Sequence, residues 1–260
     1  MHNDYTTITE LPGMKASKEQ IARLYQRYRF AYQFCGGKDV LEIGCGAGQG
    51  LGYLARTAKR VTGGDIDENN LAYARRQYKE RGDIKIEILD AQKLPFQDET
   101  FDVVILYEAI YYLSDTAKFV SEARRILKDK GSLIICSVNK DWPDFNPSPF
   151  STKYFSVPEL HSMLKEKFSG VDFYGSFSTG ANEPKAMLLS LLKNTAVRFR
   201  IMPKTMRGKE FLKRLFFGRL HPVPQEVKED MAEFTAPVPI PRDVPDRSHK
   251  VIFAIAHKKA

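Results

Sequence analysis

The chain has 260 residues, 43% of them hydrophobic, with 40 Lys and Arg against 32 Asp and Glu, for a formal net charge of +8 and a pI near 9.2. This length and composition exclude a disordered or fibrous chain and predict one globular domain with an elaboration. No apolar run approaches the ~18 residues that a membrane-spanning helix needs. The first residues lack the basic-then-apolar order of a secretion leader. Three cysteines, Cys35, Cys45 and Cys136, form no C-x-x-C pair, and the five histidines are scattered. The expectation is a reducing, cytoplasmic setting with no disulfide framework and no metal site. The positive charge suits nucleic acid, an anionic membrane surface or a phosphorylated substrate, or is simply a solvated basic surface.

Residues 1–16 read as a loose arm. Ser17 is a plausible N-cap for a helix from Lys18 to Phe34, where Ile21, Leu24, Tyr25, Tyr28 and Tyr32 recur near helical spacing. That stripe packs on a sheet or, alternatively, forms a lid with Arg27 and Tyr28 turned inward. Val40-Leu41-Glu42-Ile43 is a short apolar strand, and Gly44, Gly46, Gly48, Gly50 and Gly52 end it before a helix over 49–56. Strand, glycine turn and helix open a nucleotide-binding α/β unit, with unpaired N–H groups at the helix start. The spacing is Glu-x-Gly-x-Gly-x-Gly rather than the G-x-G-x-x-G that seats a pyrophosphate. An acid at Glu42 would repel a diphosphate and suits an ammonium group.

A second strand, 60–65, ends in Asp65, 21 residues after Gly44. That is near the ~20 expected of an acid that accepts from ribose hydroxyls. Ile66 is placed to pack on an adenine face, and Asp67 to cap a helix over 68–81. A third strand over 85–89 leads into Asp90 and Ala91. A fourth, 101–107, ends at Tyr107, with Glu108, Tyr111 and Tyr112 beyond it, where ligands bind in open α/β sheets. Ala117–Leu127 reads as an amphipathic helix stopped at Gly131. A fifth strand over 132–138, a Pro- and aromatic-rich loop over 139–155, a helix capped by Ser156, a sixth strand over 172–179 and a last strand over 250–256 complete the core.

Residues 180–248 intervene before that last strand. Met187–Phe199 reads as an amphipathic helix. From Lys193 to Leu220 nine Lys or Arg stand against one acid, Glu210, with aromatic and aliphatic residues between them. The prolines of 222–245 predict an extended loop. A basic segment of this kind is a helical cap over the cleft, a membrane-surface contact or a nucleic-acid contact.

From about Arg27 to Glu159 the sequence resembles the class I S-adenosylmethionine-dependent methyltransferases. The similarity is to the type 11 group that includes the ubiquinone/menaquinone enzymes, and closest to members associated with sugars and glycans. The resemblance is carried by residues 27–31, the glycine loop, Asp65, Asp90 with Leu94-Pro-Phe96, Phe101-Asp102, Glu108, and 124–127 before Gly131. It implies a Rossmann-like, doubly wound, seven-stranded and mostly parallel α/β sheet. Residues 1–179 plus 249–260 would be the core, and 180–248 an insertion serving as acceptor lid or surface contact.

It also implies S-adenosyl-L-methionine as cofactor. Glu42, Gly44, Gly46, Gly48 and Arg27 would lie at its methionine end, Asp65 and Ile66 at the ribose and adenine, Asp90 and Ala91 at the adenine, and Tyr107 and Glu108 near the methyl. Tyr112, Glu108, Asp141 and His161 are the candidates for a base toward a hydroxyl acceptor. Many relatives have Glu-His after the fourth strand and His and Arg in the following loop. This chain has Tyr111-Tyr112, Ser151 and Lys153 there, so sugar-hydroxyl chemistry does not carry over at those points. The expected acceptor is a small molecule or a glycan or lipid-linked precursor, with peripheral contact of 193–220 at the inner membrane surface as a further role. RNA methylation and a non-catalytic cofactor-binding module are the alternatives.

Overall fold

A computed structural model describes residues 10–179 and 219–259. Its core is an eight-stranded sheet in the order β4 (Ile84–Ile88), β3 (Arg60–Asp65), β2 (Asp39–Ile43), β5 (Phe101–Tyr107), β6 (Leu127–Val138), β10 (His249–His257), β7 (Gly170–Ser178), β9 (Val238–Pro239). The first five of these run parallel; β10 is antiparallel to both of its neighbours, and β9 to β7. The sheet therefore has one strand more than the seven expected, because the proline-rich 238–239 pairs on the edge of β7. A separate two-stranded pair joins β1 (Lys15–Ala16) to β8 (His221–Pro222).

Why the central strands are continuous apolar runs is visible in the burial. Val103, Ile105 and Tyr107 point to one face, and Val104 and Leu106 to the other, and both faces are covered. The first face packs on α1 (Lys18–Cys35), α2 (Leu51–Leu54) and α3 (Glu68–Tyr78), through Leu24, Tyr25, Ala31, Leu71 and Ala74. The second packs on α4 (Thr116–Ile126) and α5 (Val157–Leu164), through Phe119, Ala123, Leu160 and Leu164. Ser17 closes α1 with a capping box: its Oγ accepts from Gln20 N at 3.2 Å, and Gln20 Oε1 accepts from Ser17 N at 2.9 Å. Ser156 does the same for α5 with Glu159.

Three of the boundaries that differ from expectation have a plain physical cause. The helix after the glycine loop is one turn, 51–54, because the loop itself uses residues up to Gly50. The helix α3 stops at Tyr78 rather than Arg81, whose guanidinium turns to Asp83 at 2.7 Å. Gly131 does not stop α4: the chain is already extended at Leu127, and residues 128–131 bulge out where the β5–β6 register jumps. The predicted helix 187–199 and nearly all of the basic stretch 193–220 lie outside the described residues. Residues 219–248 fold back on the core, with Val223 and Val227 buried and Glu229 accepting from Tyr25 and Tyr53 hydroxyls at 3.0 and 3.1 Å.

Candidate functional site

The strand order reverses between β2 and β5, and open sheets bind ligands at the carboxyl ends of strands at such a point. A cavity of about 580 Å³ lies there, within the range of small-molecule sites. Of the residues expected at a cofactor, Arg27, Glu42, Gly44, Gly46, Asp65, Ile66, Asp90, Ala91, Tyr107 and Glu108 line it, with Tyr112 on the far side. Gly48 is not among the lining residues.

The glycine loop is shaped by backbone that other residues resist. Gly44, Gly46 and Gly48 have φ of +70°, +55° and +78°, the left-handed region where only glycine is free of penalty. A Cβ on Gly44 would sit 3.0 Å from the Ala109 Cβ. Glu42, at the end of β2, is 1% exposed. Its Oε1 accepts from the Tyr28 hydroxyl at 2.7 Å, while Oε2 is buried without a partner. Burial pushes its carboxyl up to about 7, against the opposing pull of the Tyr28 hydrogen bond and of Arg27. Asp65 is pinned from two sides: Gly46 N donates to Oδ2 and Asp67 N to Oδ1, each at 2.9 Å. A carboxylate has about four acceptor sites, so it can take a ligand hydroxyl besides these donors. Burial raises the Asp65 carboxyl, and the backbone donors of Asp67, Gly46 and Ile66 oppose it.

Asp90 both caps a turn, accepting from Gln92 N at 2.8 Å, and lines the cavity. Ile66, also in the lining, is 45% exposed. The inward orientation of Arg27 and Tyr28 is realised together with packing of the same helix on the sheet. Arg27 is 8% exposed, and its Nη2 donates to Glu10 Oε2 at 2.9 Å. Burial works against its charge, but Glu10 and Glu108 hold its pKa above the ordinary value. The Tyr107 hydroxyl donates to the Arg27 carbonyl at 3.0 Å, fixing α1 over β5.

Glu108 sits in the left-handed region at φ +50°, a conformation a non-glycine residue holds only when its surroundings enforce it. Its N–H donates to the Cys136 carbonyl at 2.9 Å, and its Oε2 accepts from the Tyr111 hydroxyl at 2.8 Å. Tyr111 stacks on Tyr154 at 4.5 Å, and the loop after it is tied down by Thr152 N donating to the Tyr111 carbonyl at 2.7 Å. Burial pushes the Tyr112 hydroxyl up to about 12.

Two candidate bases are not brought to the cavity. His161 lies on α5 with Nδ1 3.4 Å from Asp243 and its ring against Phe173. Asp141 sits in the turn after β6, its N–H donating to Asn139 Oδ1 at 3.0 Å. Helical and loop positions read from sequence do not say which end of the sheet a side chain reaches, and both miss the crevice. Sequence reasoning in turn misses Glu10, Gln49 and Gln92. Gln49 donates to the Glu10 carbonyl, and Gln92 Oε1 accepts from Asp115 N at 2.7 Å, tying the Asp90 turn to α4. No local pattern marks a polar residue that acts as a strut between distant segments. Among the described residues no cluster of His, Cys, Asp and Glu is arranged to hold a metal. No described helix is long and apolar enough to cross a membrane.

Residues 41–135 match the methyltransferase domain family of type 11. Over this stretch the chain is similar to the class I S-adenosylmethionine-dependent methyltransferase superfamily. It is 36% identical, over 60% of its length and 61% of the relative's, to a Mycolicibacterium smegmatis protein named "probable S-adenosylmethionine-dependent methyltransferase". It is 28% identical, over 53% of its length and 56% of the relative's, to the ubiquinone biosynthesis O-methyltransferase of Bartonella bacilliformis. The crystal structure of the Bacillus subtilis YcgJ protein superposes with a TM-score of 0.56 at 15% identity, covering 93% of this chain and 99% of that one, and shares the fold. The chain spans about three fifths of the curated relatives it matches. S-adenosylmethionine is the cofactor of this superfamily.

Proposed function

We propose that the protein transfers a methyl group from S-adenosylmethionine to a small-molecule or glycan-precursor acceptor. The observation that carries this is Glu42: a buried carboxylate with one oxygen unpartnered, beside a left-handed glycine turn and within the same cavity as Asp65. A buried carboxylate without its full complement of partners is costly, and a cationic ammonium group answers that cost. Arg27 would hold the cofactor's carboxylate, Asp65 its ribose hydroxyls, and Asp90, Ala91 and Ile66 its adenine. Gly44, Gly46 and Gly48 keep the backbone bare where it must approach. When bound, the cofactor supplies a methyl group already activated by a sulfonium sulfur.

What remains for the chain is to position the acceptor and exclude water. Glu108 and Tyr112 stand at the acceptor side. With its hydroxyl pushed up to about 12, Tyr112 stays protonated at neutral pH and serves as a donor. Glu108, oriented by Tyr111, is the group that would accept a proton or hydrogen bond from an acceptor O–H or N–H. Residues 1–179 with 249–260 would form the cofactor-binding core. Residues 180–248 would be an insertion whose basic part, 193–220, would meet an anionic acceptor or membrane surface; its described part lies on α1, α2 and the β7 edge. The Bartonella relative named for ubiquinone biosynthesis supports a small acceptor over RNA.

Calorimetric titration of S-adenosylmethionine and S-adenosylhomocysteine tests the assignment. The expected result is saturable binding that Asp65→Ala weakens by about tenfold or more, as loss of charge-assisted hydrogen bonds would. A folded wild type that binds neither compound would overturn it.

A further inference from the structure

Where Arg23 lines the cavity, the rim carries charges that the assignment above leaves unused. Helix α1 leads away from the glycine loop: Tyr28 lies at Glu42, Arg27 at Glu108, and Arg23, one turn earlier, reaches the ends of β6 and β7. Arg23 lines the cavity and acts electrostatically on the Cys136 thiol of β6. Its guanidinium lies 5.4 Å over the ring of Phe177. That residue ends β7 in the left-handed region at φ +55°, so strained backbone holds the ring under the cation. Beside it, Lys250 of β10 lies 5.6 Å over the ring of Trp142.

The two cations share one carboxylate. Glu19 accepts from Arg23 Nη2 at 2.6 Å and from Lys250 Nζ at 3.0 Å, and both cations draw its carboxyl down against its partial burial. Arg23 Nε, meanwhile, is buried with no partner. The same cavity is lined by Arg27, committed to Glu10 on the N-terminal arm, and by Glu108 after β5, which faces the Tyr111 hydroxyl. In this cluster two cations on aromatic platforms share one carboxylate, and one guanidinium donor is left without a partner. That combination suits a planar or tetrahedral oxyanion.

We propose that this rim is an acceptor subsite: a carboxylate or phosphate group of the acceptor binds Arg23, backed by Lys250, and so brings the atom to be methylated to Glu108 and Tyr112. This rests on the methyltransferase reading of the cavity. Arg23 and Lys250 would then be specificity determinants, and Glu19 a placeholder that the incoming anion displaces.

The test uses the full chain saturated with S-adenosylhomocysteine, so that Arg27 is occupied. Methyl phosphate and acetate are titrated in separate arms at constant ionic strength, with chloride as reference, and the melting temperature is followed. The expected result is a saturable rise for at least one anion. Arg23→Gln is expected to weaken it by about tenfold or more, and Glu19→Gln to tighten it. The stronger arm identifies the oxyanion. Should Arg23→Gln fail to fold, Arg23→Lys keeps the charge, loses the fork and is expected to bind more weakly. No saturable response above chloride, or an unchanged response in the Arg23 variants, overturns the subsite. Failure of S-adenosylhomocysteine to bind is read separately by calorimetry and rejects the methyltransferase reading instead. A phosphate response that disappears in Arg23→Gln in the absence of that ligand still reports the rim.

Discussion

Glu42 concentrates the chemistry of the site in one side chain. Its carboxyl is raised by burial from 4.5 to about 7 in the folded protein, so between those values the folded state holds a proton that the unfolded state has released. Its contribution to stability is present below pH ~4.5 and is lost as pH rises through about 7. The span is on the order of 3 kcal/mol. Glu42→Gln should flatten that part of the stability–pH profile, as read by urea unfolding from pH 4.5 to 8. Because a cationic ammonium group favours the ionised form, cofactor binding below pH 7 should release a proton. Calorimetry in buffers of different ionisation enthalpy would show it, and the release should vanish in Glu42→Gln. Gly44 sets the opposite limit: Gly44→Ala must hold φ +70° and meet Ala109. It should cost about 1–3 kcal/mol of stability, read as a lowered unfolding midpoint, and weaken cofactor binding.

At the scale of elements, α1 presents Arg23, Arg27 and Tyr28 to the cavity while its other side packs on the sheet. Its N-terminus is fixed by the Ser17–Gln20 capping box. Ser17→Ala should lower stability by about 0.5–2 kcal/mol, measured by chemical denaturation. The element was legible in sequence because Ser17 and the aromatic spacing agree. So were β2, β3 and β5 and the acids that end or follow them, Glu42, Asp65 and Glu108, since a parallel strand buried on both faces announces itself as an apolar run. The bulge at 128–131 was not legible. A glycine after a helix is a stop signal in sequence, and only the pairing of Phe101 with Leu127 shows that the strand has already begun. Nor was the clustering of Glu19, Arg23 and Lys250, since Glu19 and Lys250 are 231 residues apart and meet only through the fold.

For the molecule as a whole, β10 ties the parallel strands to α1 on one face of the sheet: its Phe253 packs on Phe30 at 4.8 Å and on Tyr107 at 6.4 Å. Phe253→Ala removes a fully buried ring between α1 and β5, the strand that leads to Glu108. A loss of about 3–5 kcal/mol is expected, seen as a lowered midpoint in thermal or urea unfolding.

The place of β10 also sets an order of events during synthesis. It lies between β6 and β7, yet it is made about 70 residues after β7, counting from Ser178 to His249. Until 249–257 has emerged, β6 and β7 have no strand between them, and each keeps an open edge ready to pair with another chain. A ribosome paused anywhere in 180–248 therefore holds a nascent protein with its glycine loop and Asp65 already made but its sheet unclosed. Slow translation through that stretch should raise aggregation and demand for chaperones.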